Sequence, residues 1–305
     1  MRSFKGIGML IIANILIMLT LAISANVLIY FILPMFGIDV SGTFEARQLT
    51  FAAVFGFGGA FISLWMSKFL AKRGQNMQQV INPSTAKEKL VYETVEALAK
   101  REGIKMPEVW VYWDDVPNAF ATGPTRNNSM VAVSSGLAMS LTDDELKAVL
   151  AHEVGHIANG DMVATTLLQG LMNTMVYFVA SIIARMVASA MARGEEPSHM
   201  VYFIVDIILQ IMLSFLAAIV VCAYSRKREF KADAYAADAL GAASMISALQ
   251  KIDTLSRQSV EWEQRESRED ALATMKIYAA HGGIKGLFAT HPSIEDRVAA
   301  LRNRS

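Results

Sequence analysis

The chain has 305 residues, of which 53% are hydrophobic and 18% are charged. Soluble domains usually have about 25% charged residues, so the composition argues against a purely soluble protein. The 28 Lys and Arg residues balance the 28 Asp and Glu residues, and without a basic excess no nucleic-acid partner is expected. The single cysteine, Cys222, excludes an intramolecular disulfide and a cysteine-based zinc site, so any metal site must use histidine and carboxylate ligands.

Four apolar segments are long enough to cross a membrane, because a helix rises about 1.5 Å per residue and the hydrocarbon core is about 30 Å thick. They are residues 7–33, 49–70, 162–191 and 200–224. Two alternatives stay open. The first segment has the basic start of a signal peptide, although its apolar run is about twice the usual length. The last two segments could instead be buried helices of a soluble domain.

The flanking Lys and Arg residues predict the orientation of the spans. Basic residues precede the first span and follow the second and the fourth, whereas the linkers 34–48 and 192–199 contain one Arg each. Both termini and the long segment 71–161 are therefore expected in the cytoplasm. The predicted division is an amino-terminal transmembrane hairpin at 1–70, a second transmembrane hairpin at 162–224, and a cytoplasmic domain in two parts at 71–161 and 225–305.

The second hairpin contains two charges inside its apolar segments. Arg185 and Asp206 lie equally far from the midpoint of the hairpin, so antiparallel spans would hold them at a similar depth. A charge in hydrocarbon is costly unless it is paired or hydrated. We therefore predict that the two residues face each other or share a water-filled cavity; the alternative is that Arg185 reaches the interface alone.

The soluble portion contains signals for helices and strands. Capping boxes at Thr85 with Glu88 and at Thr142 with Glu145 predict two helix starts. The intervening β-like runs, which predict a small antiparallel sheet, are 108–113, 118–122 and 130–134. The expected fold is an α-helical multi-pass membrane protein with four spans and a cytoplasmic α+β domain.

The second of these helices carries the motif H-E-x-x-H, as His152-Glu153-Val154-Gly155-His156. Residues four apart share a helix face, so both imidazoles can reach one ion, while Glu153 can address a water bound to it. Zinc suits these ligands and lowers the pKa of a bound water to about 7. The alternative is a pair of structural histidines, but Gly155 inside a helix costs about 1 kcal/mol and needs a reason.

A third protein ligand is needed. Metzincins have Gly and His where this chain has Asn159 and Met162, so that class is excluded. A glutamate from a later helix is another common solution. Glu229 and Asp233 are four residues apart, so that Glu229 can bind the metal while Asp233 orients an imidazole ligand. Taken alone, such a pair is also typical of a solvated helix face.

The motif lies close to the predicted spans along the chain. Five residues separate His156 from Met162, where the third span begins, and four separate Tyr224, where the fourth span ends, from Glu229. Even fully extended, six steps reach only about 22 Å. The metal site is therefore expected near the cytoplasmic face of the bilayer.

These features resemble the HtpX-type membrane zinc metalloproteases, distant relatives of the CAAX prenyl endopeptidases. The resemblance extends from the two amino-terminal spans, through the H-E-x-x-H motif and Glu229-Phe-Lys-Ala-Asp233, to Thr290-His291-Pro292. It implies a gluzincin-type domain with one Zn²⁺ per chain, held by the ligands His152, His156 and Glu229, and Glu153 as catalytic base. It also implies degradation of misfolded or damaged membrane proteins at the bacterial cytoplasmic (inner) membrane, in protein quality control and the stress response.

Two further features fit a protease whose partners are polypeptides and the lipid bilayer. Asn118, Ala119 and Phe120 resemble the family's segment beside the active site, where an exposed strand can pair with an extended peptide; the alternative is an ordinary core strand. His291 could stabilise the oxyanion of the tetrahedral intermediate, or serve as a cap or packing residue.

A hypothesis of a different class is a membrane scaffold or chaperone in which zinc only braces the cytoplasmic helices. A structural zinc site fills all four coordination positions with protein ligands. The sequence offers no cysteine near the motif and no obvious fourth ligand, which favours catalysis.

Overall fold

The computed structural model describes residues 16–74, 77–192, 196–266 and 287–304. Its helices are α1 (Leu16–Met35), α2 (Phe44–Gly74), α3 (Ala86–Glu102), α4 (Ser135–Ser140), α5 (Asp143–Ala158), α6 (Asp161–Met191), α7 (His199–Leu240), α8 (Ala242–Glu266) and α9 (Ile294–Arg302). Its strands are β1 (Met77–Gln79), β2 (Glu108–Tyr112), β3 (Ala119–Thr125) and β4 (Asn128–Ser134).

The expected fold class is confirmed. Helices α1, α2, α6 and α7 are each long and apolar enough to cross a membrane, and residues 7–15 of the first predicted span lie outside the described residues. The chain divides into two compact units. The first comprises Met1–Ser63 and Thr165–Val221, and the second comprises Leu64–Ala164 and Cys222–Ser305.

Close helix packing characterises the first unit. A Cβ atom at Gly56 would clash with the side chain of Thr174 and would lie 2.8 Å from the carbonyl oxygen of Gly170. In a bilayer, where the hydrophobic effect does not drive helices together, such small residues let two backbones approach and gain van der Waals contact. Helices α2 and α6 are therefore in direct backbone contact at this point.

The two charges of the second hairpin do not form an ion pair. Arg185 lies over the ring of Phe44, with its guanidinium carbon 3.9 Å from the ring centroid, and Asp206 accepts a 2.7 Å hydrogen bond from Gln210. No ion pair between the two charges is present in the described part of the chain, so the predicted face-to-face pair is not formed. Asp206 instead lines a cavity of about 300 Å³, to which all four long helices contribute.

The second unit contains a mixed four-stranded sheet in the order β1-β2-β4-β3. Strands β1 and β2 are antiparallel, as are β3 and β4, whereas β2 and β4 are parallel. The expectation of a wholly antiparallel sheet is therefore wrong for one pair. The physical reason is topological: β3 folds back on the outer side of β4, so β4 takes the place beside β2 and runs in the same direction.

Helix α5 lies at the centre of this unit. It packs against α3, α8 and the strands β3 and β4, and its buried apolar residues include Leu146, Leu150, Val154 and Ile157. A helix surrounded on several sides cannot shift without disturbing the core. The segment that carries H-E-x-x-H is thus held rigidly.

Both predicted capping boxes are present, and Glu145 also fastens α5 to α8. One carboxylate oxygen of Glu145 accepts a 2.6 Å hydrogen bond from Ser247, and the other accepts bonds from the Thr142 amide at 2.9 Å and from Lys251 at 3.3 Å. Burial raises the pKa of Glu145, but the hydrogen bonds from Ser247 and Thr142 outweigh it and lower the pKa from 4.5 to about 2.

This shift predicts how stability depends on pH. Because the folded-state pKa of Glu145 is depressed, its contribution is fully present above pH 4.5 and is lost as the pH falls toward about 2. The contribution of Glu145 to the free energy of unfolding at neutral pH is about 3 kcal/mol.

The Glu145→Gln variant should therefore melt at a lower temperature than wild type at pH 7, and this gap in melting temperature should shrink at pH 3. Thermal unfolding in detergent at both pH values measures the gap, with Glu96→Gln, the i,i+4 partner of Lys100, as control. A gap that is the same at both pH values would contradict the assignment.

Candidate metal centre

The three residues predicted as ligands converge in the second unit. His152 and His156 lie on one face of α5, with their Nε2 atoms 3.2 Å apart. Glu229 comes from α7, with Oε1 3.3 Å from Nε2 of His156 and Oε2 3.5 Å from Nε2 of His152. One ligand atom from each of the three residues lies within 4.8 Å of the others. Glu229 and Asp233 are both buried, so the pair on α7 is not a solvated helix face.

Gly155 explains how α7 comes so close to α5. A Cβ atom at this position would lie 3.0 Å from Cδ1 and 3.2 Å from Cγ of Tyr235, tighter than ordinary van der Waals contact. On α7, Ala232 and Ala236 are completely buried. Small residues at these positions let the two helices approach until Glu229 reaches the imidazoles. The glycine inside the motif thus has a packing reason.

Buried carboxylates fix the proton positions of both imidazoles. Nδ1 of His152 lies 2.9 Å from Oδ1 of Asp233, as the sequence predicts, and Nδ1 of His156 lies 2.7 Å from Oδ2 of Asp161. When Nδ1–H donates to a carboxylate, the neutral ring carries its lone pair on Nε2. Both lone pairs then face each other and the carboxylate of Glu229.

This donor set fits a divalent metal ion. Two imidazole lone pairs and a carboxylate repel one another at these distances unless a proton or a metal cation lies between them. Oε2 of Glu229 is buried and has no partner in hydrogen-bond geometry among the described residues, although Nδ1 of His291 lies 2.9 Å from it. Two histidines and one glutamate are a common ligand set of catalytic zinc, each imidazole being oriented by an outer carboxylate.

The negative charges of the cluster also set the protonation of the rings. Burial lowers the pKa of His156, but the hydrogen bonds to Asp161 and Glu229 outweigh it and raise the pKa to about 9. Burial opposes protonation of His152 as well, and Asp233 and Glu229 raise its pKa above the ordinary value. A metal ion that binds here therefore displaces protons, and its affinity increases with pH.

Two residues of this cluster were not predicted from the sequence. Asp161 is the first residue of α6 and directly follows Gly160, whose φ of +69° turns the chain back toward the motif. Arg297, on α9, donates to both carboxylate oxygens of Asp233, from Nε at 2.7 Å and from Nη2 at 2.6 Å. Asp161 has a local signal, the glycine break at Gly160 four residues after His156, whereas Arg297 has none.

Glu153 and His291 occupy different positions around the cluster. Glu153 is half-buried. Its carboxylate makes no hydrogen bond or ion pair with any described residue and interacts electrostatically with His156. Its carboxylate is therefore free to accept a proton.

Nδ1 of His291 lies 2.9 Å from Oε2 of Glu229, and 66% of the His291 side chain is exposed. His291 thus faces solvent beside the cluster, and its oxyanion role stays a prediction.

The predicted substrate strand is at an edge of the sheet. Ala119 and Phe120 belong to β3, which pairs with β4 on one side, and α5 packs against the same strand. Asn118 directly precedes β3, and its carbonyl oxygen accepts a 2.9 Å hydrogen bond from the Ser134 amide. Among the described residues no further strand pairs with β3, so its second edge has main-chain groups to offer an extended peptide.

Comparisons with known proteins agree with this geometry. Residues 85–305 match the model of peptidase family M48. The chain is 43% identical over 288 residues to protease HtpX of Pasteurella multocida, covering 94% of this chain and 97% of that protein. It is 39% identical over 302 residues to protease HtpX of Cellvibrio japonicus, covering 97% and 98% of the two chains.

A solved structure shares the fold. The crystal structure of S. mikatae Ste24p superposes with a TM-score of 0.58 at 19% identity, and the match covers 95% of this chain and 65% of that longer chain. The resemblance inferred from the motifs is thereby confirmed. Because the family match includes α5, α6, α7 and α9, which carry the histidine–carboxylate cluster and Arg297, the chain belongs to peptidase family M48 and is a membrane metallopeptidase.

Proposed function

We propose that the chain is a zinc-dependent endopeptidase that holds one Zn²⁺ per chain on His152, His156 and Glu229. The observation that carries the proposal is the convergence of two Nε2 lone pairs on a buried glutamate, with both Nδ1 atoms bonded to carboxylates. A metal-braced scaffold would also need ligands, but it would not need a free carboxylate beside them. Family membership and the unpaired Glu153 favour catalysis.

The side chains of this site divide the chemical work. Bound zinc supplies a Lewis acid that polarises the scissile carbonyl and acidifies water. Glu153 accepts a proton from the attacking water at its carboxylate and returns it to the leaving amine. Asp233 and Asp161 retain the Nδ1 protons, so that both rings keep their Nε2 lone pairs on the inner side. The free edge of β3, from Asn118 to Phe120, holds the substrate in an extended conformation, and His291 donates to the developing oxyanion.

We further propose that the substrates are misfolded or damaged membrane proteins at the bacterial cytoplasmic (inner) membrane, in quality control and the stress response. The transmembrane hairpins at 1–70 and 162–224 anchor the enzyme, and the parts at 71–161 and 225–305 form its cytoplasmic domain with both termini. The distribution of basic flanks supports this orientation, and the HtpX relatives from bacteria support the location.

The Glu153→Gln variant separates catalysis from metal binding. Because Glu153 is not one of the three converging residues, the variant should keep about one zinc per chain and lose about 10³-fold in proteolysis, the range of a lost general base. Glu229→Gln should lose the metal itself. Metal content and cleavage of an unfolded substrate such as casein provide the two measurements, with the exposed Glu93→Gln as a matched control. Cleavage at near wild-type rate by Glu153→Gln would reject this mechanism and leave the scaffold hypothesis in place.

Proximity to the bilayer should govern substrate choice. Helix α6, a candidate span, begins at Asp161, five residues after His156, so the site meets cytoplasmic loops of membrane proteins at high effective concentration. A flexible loop on a membrane-anchored substrate should be cleaved at least about tenfold faster than the same loop on a soluble carrier. Cleavage of both is followed in the same liposomes at matched total concentration. Equal rates would remove proximity as the basis of selection.

A further inference from the structure

Arg297 brings the carboxyl-terminal helix α9 into the candidate metal centre. The residue is 7% exposed, so its guanidinium is almost wholly withdrawn from water. A buried charge is tolerated when its hydrogen bonds and charge are satisfied. Here the partners are two carboxylates one helical turn apart on α7, Glu229 and Asp233.

The contact with Asp233 is bidentate and determines the orientation of that carboxylate. Arg297 donates from Nε to Oδ2 at 2.7 Å and from Nη2 to Oδ1 at 2.6 Å. The same Oδ1 accepts from Nδ1 of His152 at 2.9 Å. A planar guanidinium that holds both oxygens leaves the carboxylate no freedom to rotate. Oδ1 is therefore kept in line with the imidazole.

A second contact fixes the position of the guanidinium relative to the ligand on α7. Nη1 of Arg297 lies 3.5 Å from Oε2 of Glu229. Nη2 lies 3.4 Å from Nδ1 of His152. Because both nitrogen atoms carry protons, they do not bond to each other, and each donates instead to Oδ1 of Asp233. One side chain thus touches the orienting carboxylate, the glutamate and the edge of an imidazole.

The positive charge of Arg297 does not by itself explain why an arginine lies beside the proposed metal site. A positive group close to a cation site opposes metal binding by Coulomb repulsion, so an arginine kept there must contribute in another way. We propose that Arg297 is a positioning residue, which locks Asp233 so that the Nε2 lone pair of His152 points at the metal. This inference rests on the proposed zinc site and extends it to α9.

The decisive variant is Arg297→Lys, which keeps the charge but replaces the planar fork with a single ammonium that cannot hold both oxygens of Asp233. Metal affinity should fall by about 10- to 100-fold, the usual effect of losing an outer partner of a ligand. Metal-free full-length protein in detergent is titrated with Zn²⁺ against a competing chelator and with Co²⁺, whose absorption spectrum reports the coordination geometry.

A matched control is available on the same segment. Arg304 also pairs with an aspartate of α7, Asp238, at 3.0 Å, but both side chains are largely exposed. Arg304→Lys should leave metal affinity within about twofold of wild type. The thermal midpoints of the metal-free proteins check folding. If Arg297→Lys does not fold, Arg297→Gln takes its place. Removing the positive charge by itself would strengthen metal binding. Weaker metal binding by Arg297→Gln therefore supports the positioning role, and equal or tighter binding overturns that role.

A double-mutant cycle tests whether Arg297 acts through Asp233. In an Asp233→Asn background the carboxylate to be positioned is gone, so Arg297→Lys should change metal affinity by less than about twofold. Two outcomes would overturn the inference while leaving the zinc site intact. One is additive losses of metal affinity in the double variant. The other is wild-type metal affinity and an unchanged Co²⁺ spectrum in the single Arg297→Lys variant. A wild-type protein that binds no stoichiometric metal would instead overturn the proposed function, and this inference with it.

Discussion

The convergence of two imidazole lone pairs on a buried glutamate is the constraint on which the second unit depends. It holds only when each Nδ1 keeps its proton, and two carboxylates from different helices, Asp161 and Asp233, provide for this. Carboxylates that orient the ligands typically contribute about 10- to 100-fold to metal affinity, because they fix the tautomer and the direction of the ring. The site is accordingly a three-layer arrangement of ligands, carboxylates and a buried guanidinium.

Helix packing follows from this constraint. Glu229 can reach the two histidines of α5 only if α7 packs closely against α5. The absence of a side chain at Gly155 leaves room for Tyr235 of α7 and allows this close packing. A glycine costs helix stability, and the buried apolar face of α5 together with the Glu145 contacts to α8 offsets this cost. The helix stability lost at Gly155 is thus offset by the packing of α5 in the surrounding core.

Sequence reasoning was most successful where a local pattern has one physical meaning. Four apolar stretches of sufficient length, two capping boxes and the i,i+4 histidine pair are local patterns, and each corresponds to the expected element. It failed for strand direction, because three β-like runs do not specify which strand lies between the others. The three-residue strand β1 was missed, since so short a segment shows no alternation.

The sequence by itself determined the class of protein and the chemistry of the motif, because composition, span length and helical spacing act within a few turns of the chain. Only the tertiary structure decided which distant side chains complete the site. Asp161 follows a glycine turn, and Arg297 lies 145 residues from His152 yet within 3.4 Å of its ring. No periodicity encodes such a contact, because it arises from the packing of α9 against helices far away in the chain. The outer shell of the metal centre is therefore a property of the fold.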